Sequence, residues 1–333
     1  MIREMLRAVR HRRFLDRTQK RRLILSALST VVFKTIMYVF LVSISYILLY
    51  PIFYSVSTAF RESIDMYDPN VSWIPTTFTV NNFTTIWEKI DYPALFRNTV
   101  FLCGISALLQ TAVCALTGYG FARFRFREKG ILGIVLLVTI ILPPQVASIP
   151  NFLMMKDFDV FGVVRLAESL IGKRITINLI DSAGAYFLPA VFGLGLRSGL
   201  FIMIFRQFFK GLPVELEDAA YVDGCGPLHT FLKVMMPNSK PPIVIVFLFS
   251  VVFYWNDTYY GFMYMDEFQT ISVRLSQISA DMMTVIPNFI GDPTQAIPYI
   301  QSGVLMSIVP LLILYIACQK IFIESVERAG IVG

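Results

Sequence analysis

The sequence predicts an all-α integral membrane protein with six transmembrane helices. Three observations carry that prediction. First, 56% of the 333 residues are hydrophobic and only 16% are charged, whereas soluble domains carry about 25% charged residues. The mean hydropathy is +0.64. A single soluble core cannot hide that much apolar surface, and a disordered chain shows the opposite composition. A cytoplasmic enzyme is therefore excluded. Second, charge-poor intervals recur with lengths near the roughly 20 residues that cross about 30 Å of hydrocarbon. Third, those intervals lack strand alternation, so helices satisfy the backbone better than a barrel would.

The spans follow in order. Residues 35–60 are uncharged between Lys34 and Arg61, 98–122 between Arg97 and Arg123, and 130–155 between Lys129 and Lys156. Residues 182–205 are apolar apart from Arg197. Residues 241–256 are uncharged between Lys240 and Asp257, with apolar character continuing to Met265, and 293–319 are uncharged between Asp292 and Lys320. Pro143–Pro144 should bend or end the third helix, and Pro241–Pro242 should open the fifth. Pro298 places the sixth at 302–319.

This divides the chain into a basic segment with the start of the first helix (1–34), a six-helix domain (35–320) containing a long loop (206–240), and a tail (321–333). The basic region is too long, and a cleavage site too poorly marked, for a signal peptide. The first helix is therefore expected to stay, its basic flank touching anionic lipid headgroups.

The formal charge of +6 would suggest nucleic acid on a soluble chain. Here its placement speaks for topology instead. With a cytoplasmic N-terminus, inner segments hold 20 of the 29 Lys and Arg and outer segments hold 8. That asymmetry predicts a multi-pass protein of the cell membrane with both termini cytoplasmic, and no nucleic-acid partner. Four cysteines form no C-x-x-C pair, and two histidines, His11 and His229, are too few for a conventional metal centre. No G-x-x-x-x-G-K-[ST] loop is present to cradle a phosphate, and no nucleophile–base arrangement is credible. The chain is expected to be non-catalytic, with no cofactor of its own.

The inner loop 206–240 is amphipathic. Pro213 suits a first helical turn, and Glu215, Glu217 and Asp218 favour a helix N-terminus. Leu216, Ala219 and Ala220 share one small apolar stripe. Gly224 sits where a left-handed cap stops the helix. Pro227 allows a second short helix with Phe231, Leu232 and Met235 on its core face. Such a helix either docks closely on another protein or lies against the membrane.

This loop resembles the EAA motif of binding-protein-dependent ABC importer permeases. The pattern appears as Asp218-Ala219-Ala220, Asp223-Gly224 and Met236-Pro237, with aspartate in place of the first glutamate and Glu217 beside it. Further stretches resemble the family in the same order. These are Gly118-Tyr119-Gly120-Phe121-Ala122-Arg123-Phe124, Ile141-Leu142-Pro143-Pro144-Gln145, Arg206-Gln207-Phe208-Phe209, Trp255-Asn256-Asp257 and the tail Ala329-Gly330-Ile331-Val332-Gly333.

The resemblance is to the MalG-like carbohydrate branch and implies a MetI-like permease fold. It implies a second homologous permease subunit, two ATPase subunits that use the ATP, an extracytoplasmic solute-binding protein, a sugar substrate and alternating access. It also implies that Glu217, Asp218, Ala219, Ala220, Asp223 and Gly224 couple the chain to an ATPase. Another polar solute is the alternative, and an ion-coupled secondary carrier is a more distant one, since the spans hold no mid-span acid.

Two sets of residues are expected near a translocation path. Arg197 lies nine residues before Arg206, about 13 Å into a helix at 1.5 Å per residue. A charge there faces a cavity or an internal partner. Tyr254, Trp255, Asn256, Asp257, Tyr259 and Tyr260 combine aromatic faces with donors and acceptors suited to sugar hydroxyls. An interfacial belt or a binding-protein contact accounts for them equally. The outer-loop carboxylates Asp157, Asp159, Glu168 and Asp181 serve solvation or docking.

Overall fold

The computed structural model describes residues 17–69, 73–159, 162, 170, 172, 176–287, 289 and 291–331. Its regular elements are helical, with one isolated antiparallel bridge between Arg61 and Phe78 among the described residues. The chain divides into two compact units, before and after the junction at residues 57 and 58. The first is carried by helix α1 (Arg17–Ala59). Its Ser29 and Thr30 hydroxyls donate to the Ser26 carbonyl at 2.9 and 2.8 Å, and the Thr35 hydroxyl to Val31 at 3.0 Å. Those bonds satisfy polar groups inside an apolar helix.

The second unit is organised around α3 (Tyr92–Arg123). Buried residues Cys103, Ala107, Gln110 and Cys114 recur at alternating steps of four and three, which makes a continuous seam along one helix face. Helices α6 (Gly184–Val191), α7 (Ser198–Gly211) and α10 (Lys240–Trp255) pack on α3. The short α2 (Asn81–Lys89) packs on the long last helix α14 (Ile297–Ile331). One core gathers Ile86, Leu102, Tyr254, Trp255 and Ile271; a second gathers Tyr119, Phe201, Phe205, Phe209, Phe231 and Met235.

Gly118 explains how closely α3 and α7 approach. A Cβ there would stand 2.6 Å from Phe205 Cβ, 2.9 Å from the Arg206 amide nitrogen and 3.0 Å from the Ile202 carbonyl oxygen. Backbone cannot yield as a side chain does. Gly118→Ala is therefore expected to destabilise the chain by about 1–3 kcal/mol. Gly120→Ala should not, since its nearest neighbour would be Phe124 Cδ2 at 3.9 Å. Thermal unfolding of the detergent-purified variants separates the two; equal melting temperatures would contradict this packing.

Three helical stretches are long and apolar enough to cross a membrane: Leu28–Ala59, Tyr92–Arg123 and Pro293–Lys320. Two bent pairs raise the count to five if each is one span. One joins α4 (Lys129–Ile141) to a second arm at Gln145–Lys156, which holds α5 (Ser148–Lys156), with a 100° bend. The other joins α9 (Pro227–Asn238) to α10 with an 82° bend. The first bend falls at Pro143–Pro144, as proline's lost donor and ring require. The protein is thus an all-α, multi-pass membrane fold with three to five such apolar spans among the described residues.

The expected fourth span, 182–205, is not one helix. It breaks between α6 and α7, where Gly193 has φ 69° and Arg197 has φ 60°. Left-handed residues end a helix, so neither half alone reaches membrane-crossing length. A buried amide holds the break open: Gln110 Nε2 donates to the Leu196 carbonyl at 2.5 Å. Arg197 accordingly sits at the head of α7 rather than inside a continuous helix.

On the predicted outer side, Asp181 ties two loops together. Its Oδ1 accepts from the consecutive amides of Asp266, Glu267 and Phe268, each at 2.9 Å, and its own amide donates to the Tyr264 carbonyl at 2.7 Å. Burial pushes the carboxyl up, but the three amides outweigh it and leave it below its ordinary value. The clamp is therefore fully present above the unfolded carboxylate value of about 3.9 and is lost as pH falls through the lower folded one. Asp181→Ala should speed hydrogen exchange at residues 266–268 at neutral pH; unchanged exchange would contradict the clamp.

Candidate functional site

The loop at 206–240 leaves α7 at Gly211 and enters α8 (Glu215–Val222), whose first turn carries Glu215, Glu217 and Asp218. Their charges meet the positive end of the helix. The helix stops where expected: Gly224 has φ 83°, and the Cys225 amide donates to the Ala220 carbonyl at 2.9 Å. Glycine is needed there because a Cβ disfavours that backbone region.

The face assignment differs from the sequence reading. Glu217 and Ala220 are buried and Leu216 is half-buried, while Asp218, Ala219, Tyr221, Val222, Asp223 and Gly224 are exposed. Ala219 therefore leaves the predicted stripe, because the helix seats through residues 216, 217 and 220 on one side. Val222 is 88% exposed, a large cost for a residue with no partner surface. In the following segment Phe231 and Met235 are buried, but Leu232 points outward at 54% exposure. The cause is a π turn over Phe231–Met235, which shifts the register of the helical face.

Glu217 turns inward onto Arg123, the last residue of α3. Arg123 Nε lies 3.1 Å from Glu217 Oε1, with the two side chains 11% and 8% exposed. Arg123 Nη2 also donates to the Leu212 carbonyl at 2.7 Å. Burial pushes the Glu217 carboxyl above its ordinary value, and the Arg123 guanidinium opposes that shift. One turn earlier, Tyr119 packs its ring on Phe209, Phe124 and Phe231, with centroids 5.0–5.5 Å away. Sequence reasoning noticed Arg123 as the end of the second span and as part of a motif, without a partner for its charge. The missed signal was a basic residue ending an apolar helix, matched by an acidic pair in the loop at 206–240.

The residues expected near a path fall into two groups. Tyr254 and Trp255 are buried. Trp255 Nε1 donates to Ser307 Oγ at 3.1 Å, and the Ser272 hydroxyl donates to the Trp255 carbonyl. Asp257 accepts from Tyr186 Oη at 2.6 Å and from the Tyr260 amide at 3.3 Å, while exposed Asn256 donates back to Val252 at 2.8 Å. This segment thus knits α6, α10 and α14 to α12 (Ile271–Gln277), which lies in sequence between the short helices α11 (Tyr259–Tyr264) and α13 (Met282–Val285), with Trp255 Nε1 and the Asp257 carboxylate bonded inward. Tyr186, absent from the sequence reading, is its main added member.

Arg197 stands apart from that cluster. It is exposed, and its guanidinium carbon lies 5.8 Å from the centroid of the Phe253 ring, within cation–π reach. Among the acidic side chains, Asp157 and Asp159 border an open groove of about 500 Å³ with Leu153, Met154 and Gly162. Glu168 lies outside the described residues. No cluster of three metal-binding side chains occurs among the described residues.

Comparison with known proteins gives the arrangement a family. Residues 113–327 match the model of the binding-protein-dependent transport system inner membrane component. The chain is 24% identical to a probable ABC transporter permease protein, YurM, of Bacillus subtilis, over 90% of this chain and 89% of that one. It is 26% identical to the arabinooligosaccharides transport system permease protein AraQ of Halalkalibacterium halodurans, over 87% and 93% respectively. Among solved structures, a bacterial ABC transporter that imports the acidic polysaccharide alginate contains a chain of similar fold. The TM-score is 0.65 at 18% identity, covering 88% of this chain and 97% of that chain. The matched family model spans both the Arg123–Glu217 junction and the broken α6–α7 region, and the chain belongs to the binding-protein-dependent transport system inner membrane component family.

Proposed function

We propose that this chain is the permease subunit of an ATP-driven carbohydrate importer of the MalG-like branch. It works beside a second homologous permease, two ATPase subunits and an extracytoplasmic binding protein. The observation that carries the proposal is the exposed face of α8. A short helix, seated by a buried carboxylate, offers Asp218, Ala219, Tyr221 and Val222 outward and ends on a left-handed glycine. That shape suits insertion into a cleft of an ATPase. In this reading the chain crosses the membrane six times, α6 and α7 forming one broken crossing, with both termini and residues 206–240 cytoplasmic. The relatives that transport arabinooligosaccharides and melibiose, raffinose and stachyose favour a saccharide.

Arg197, at the broken crossing, is the residue of this chain best placed to meet solute in the path. An exposed charge inside a membrane span is expensive unless water or a polar partner meets it. The Trp255-Asn256-Asp257 segment serves mainly to hold the outer end of the bundle, since Trp255 Nε1 and the Asp257 carboxylate bond to Ser307 and Tyr186 within the subunit. A second reading, another polar solute, is favoured by a relative that transports sn-glycerol-3-phosphate. The ligand spectrum of the cognate binding protein decides between them. Saccharide binding is expected; a binding protein that takes only non-saccharide solutes would overturn the carbohydrate assignment.

Docking and topology share one experiment. A cysteine at position 222 should cross-link to the ATPase in inside-out vesicles. A cysteine at position 215 should resist an impermeant reagent applied to intact cells. Labelling of position 215 from outside would reverse the topology.

A further inference from the structure

Arg123 joins two parts of the chain that the docking reading leaves mechanically separate. Its guanidinium meets Glu217 Oε1 at 3.1 Å and the Leu212 carbonyl at 2.7 Å. One side chain thus holds both the first turn of α8 and the linker that leads into it. Glu217 is buried, while the residues that follow it, Asp218 and Ala219, are exposed. Glu217 is therefore turned away from the face offered to an ATPase, and its partner lies on α3, 94 positions earlier in the sequence.

The place of α3 in the bundle gives that contact a consequence. The same helix packs Gly118 against the α7 backbone and holds the break before α7 through Gln110. A movement of α8 could be absorbed in the short Leu212–Val214 linker or delivered to α3. Pulling apart a buried ion pair leaves an uncompensated charge, which strongly opposes separation. The linker itself is pinned by the same guanidinium.

We infer that the Arg123–Glu217 pair is the strut through which α8 moves α3, and through it the broken crossing at Leu196. Arg123 and Glu217 are positioning residues: neither touches solute or nucleotide. The inference rests on the reading that the outer face of α8 meets an ATPase.

The test uses the complete transporter in vesicles, with solute import and ATP hydrolysis measured together. Arg123→Gln and Glu217→Gln should each retain the ATPase and its hydrolysis, while solute imported per ATP falls about tenfold, within the usual range of coupling free energies. Arg123→Lys keeps the charge and should lose less than Arg123→Gln. The exchanged pair, Arg123→Glu with Glu217→Arg, should recover import per ATP above either single exchange, Arg123→Glu or Glu217→Arg. If a single variant fails to accumulate in the membrane, the exchange should restore accumulation as well.

Parental import per ATP in Arg123→Gln and Glu217→Gln overturns the strut. So does an exchanged pair no better than its single members in accumulation or yield, or loss of the ATPase from a normally inserted Glu217→Gln. Failure of the docking reading is seen separately, as absence of a cross-link from position 222 in the otherwise unchanged transporter.

Discussion

Ala219→Trp is expected to strip the ATPase from the purified transporter and abolish ATP-driven import, while the chain inserts and unfolds like the parent. Ala219 is exposed on α8, so the indole meets nothing within the subunit and blocks only an incoming surface. Ala220→Trp tests the opposite side of the same helix. Ala220 is 5% exposed, and overpacking a buried site costs about 1–3 kcal/mol. That variant should lose import by unseating α8, with a lowered melting temperature. Gly224→Val belongs with it, because a β-branched residue is strained at φ 83°. Co-purification of the ATPase and thermal unfolding separate the two modes. Full ATPase recovery in Ala219→Trp would remove the outer face of α8 from the interface.

The second large effect is expected at Arg197. Arg197→Leu should reduce import at least about tenfold, on the scale of a lost charge-assisted hydrogen bond, while leaving the ATPase bound. Arg197→Gly sharpens the comparison. The native residue holds φ 60°, a conformation that costs a non-glycine residue about 1 kcal/mol or more. Glycine removes that strain, so Arg197→Gly should unfold at the same or a higher temperature and still fail to import. Loss of import without loss of stability marks a functional side chain. An Arg197→Gly variant that imports like the parent would make Arg197 a tolerated charge.

Much of this architecture was legible in the charge-free intervals, because burial in lipid excludes charge from whole helices at once. The bend at Pro143–Pro144, the opening of α10 at its prolines and the left-handed Gly224 follow from backbone chemistry that needs no tertiary context. The break before α7 was hidden. Residues 182–205 remain apolar across it, and hydropathy reports solvent preference rather than backbone continuity. Gly193 and Gly195 were the available signs. At Gly195 a Cβ would lie 3.0 Å from Gln110 Oε1, a close approach visible only once α3 is in place.

The loop at 206–240 shows the same division. Its helix, acidic first turn and stop could be read locally. The inward face could not, because a helix of eight residues fixes its orientation through partners elsewhere. Glu217 is chosen over Asp218 by Arg123, and no periodicity within the loop contains that information. The packing of the aromatic segment at Tyr254–Asp257 was hidden for a related reason. A composition suited to sugar also suits a hydrogen-bonded core, and the partners Tyr186 and Ser307 lie far away in sequence.

The most direct measurement of the central claim is solute uptake into vesicles holding this chain and its partner subunits, with ATP inside, a labelled ligand of the cognate binding protein outside, and that binding protein added or withheld. The account predicts uptake that requires both ATP and the binding protein and is lost in Ala219→Trp. Uptake that persists without ATP and follows an imposed ion gradient would contradict it.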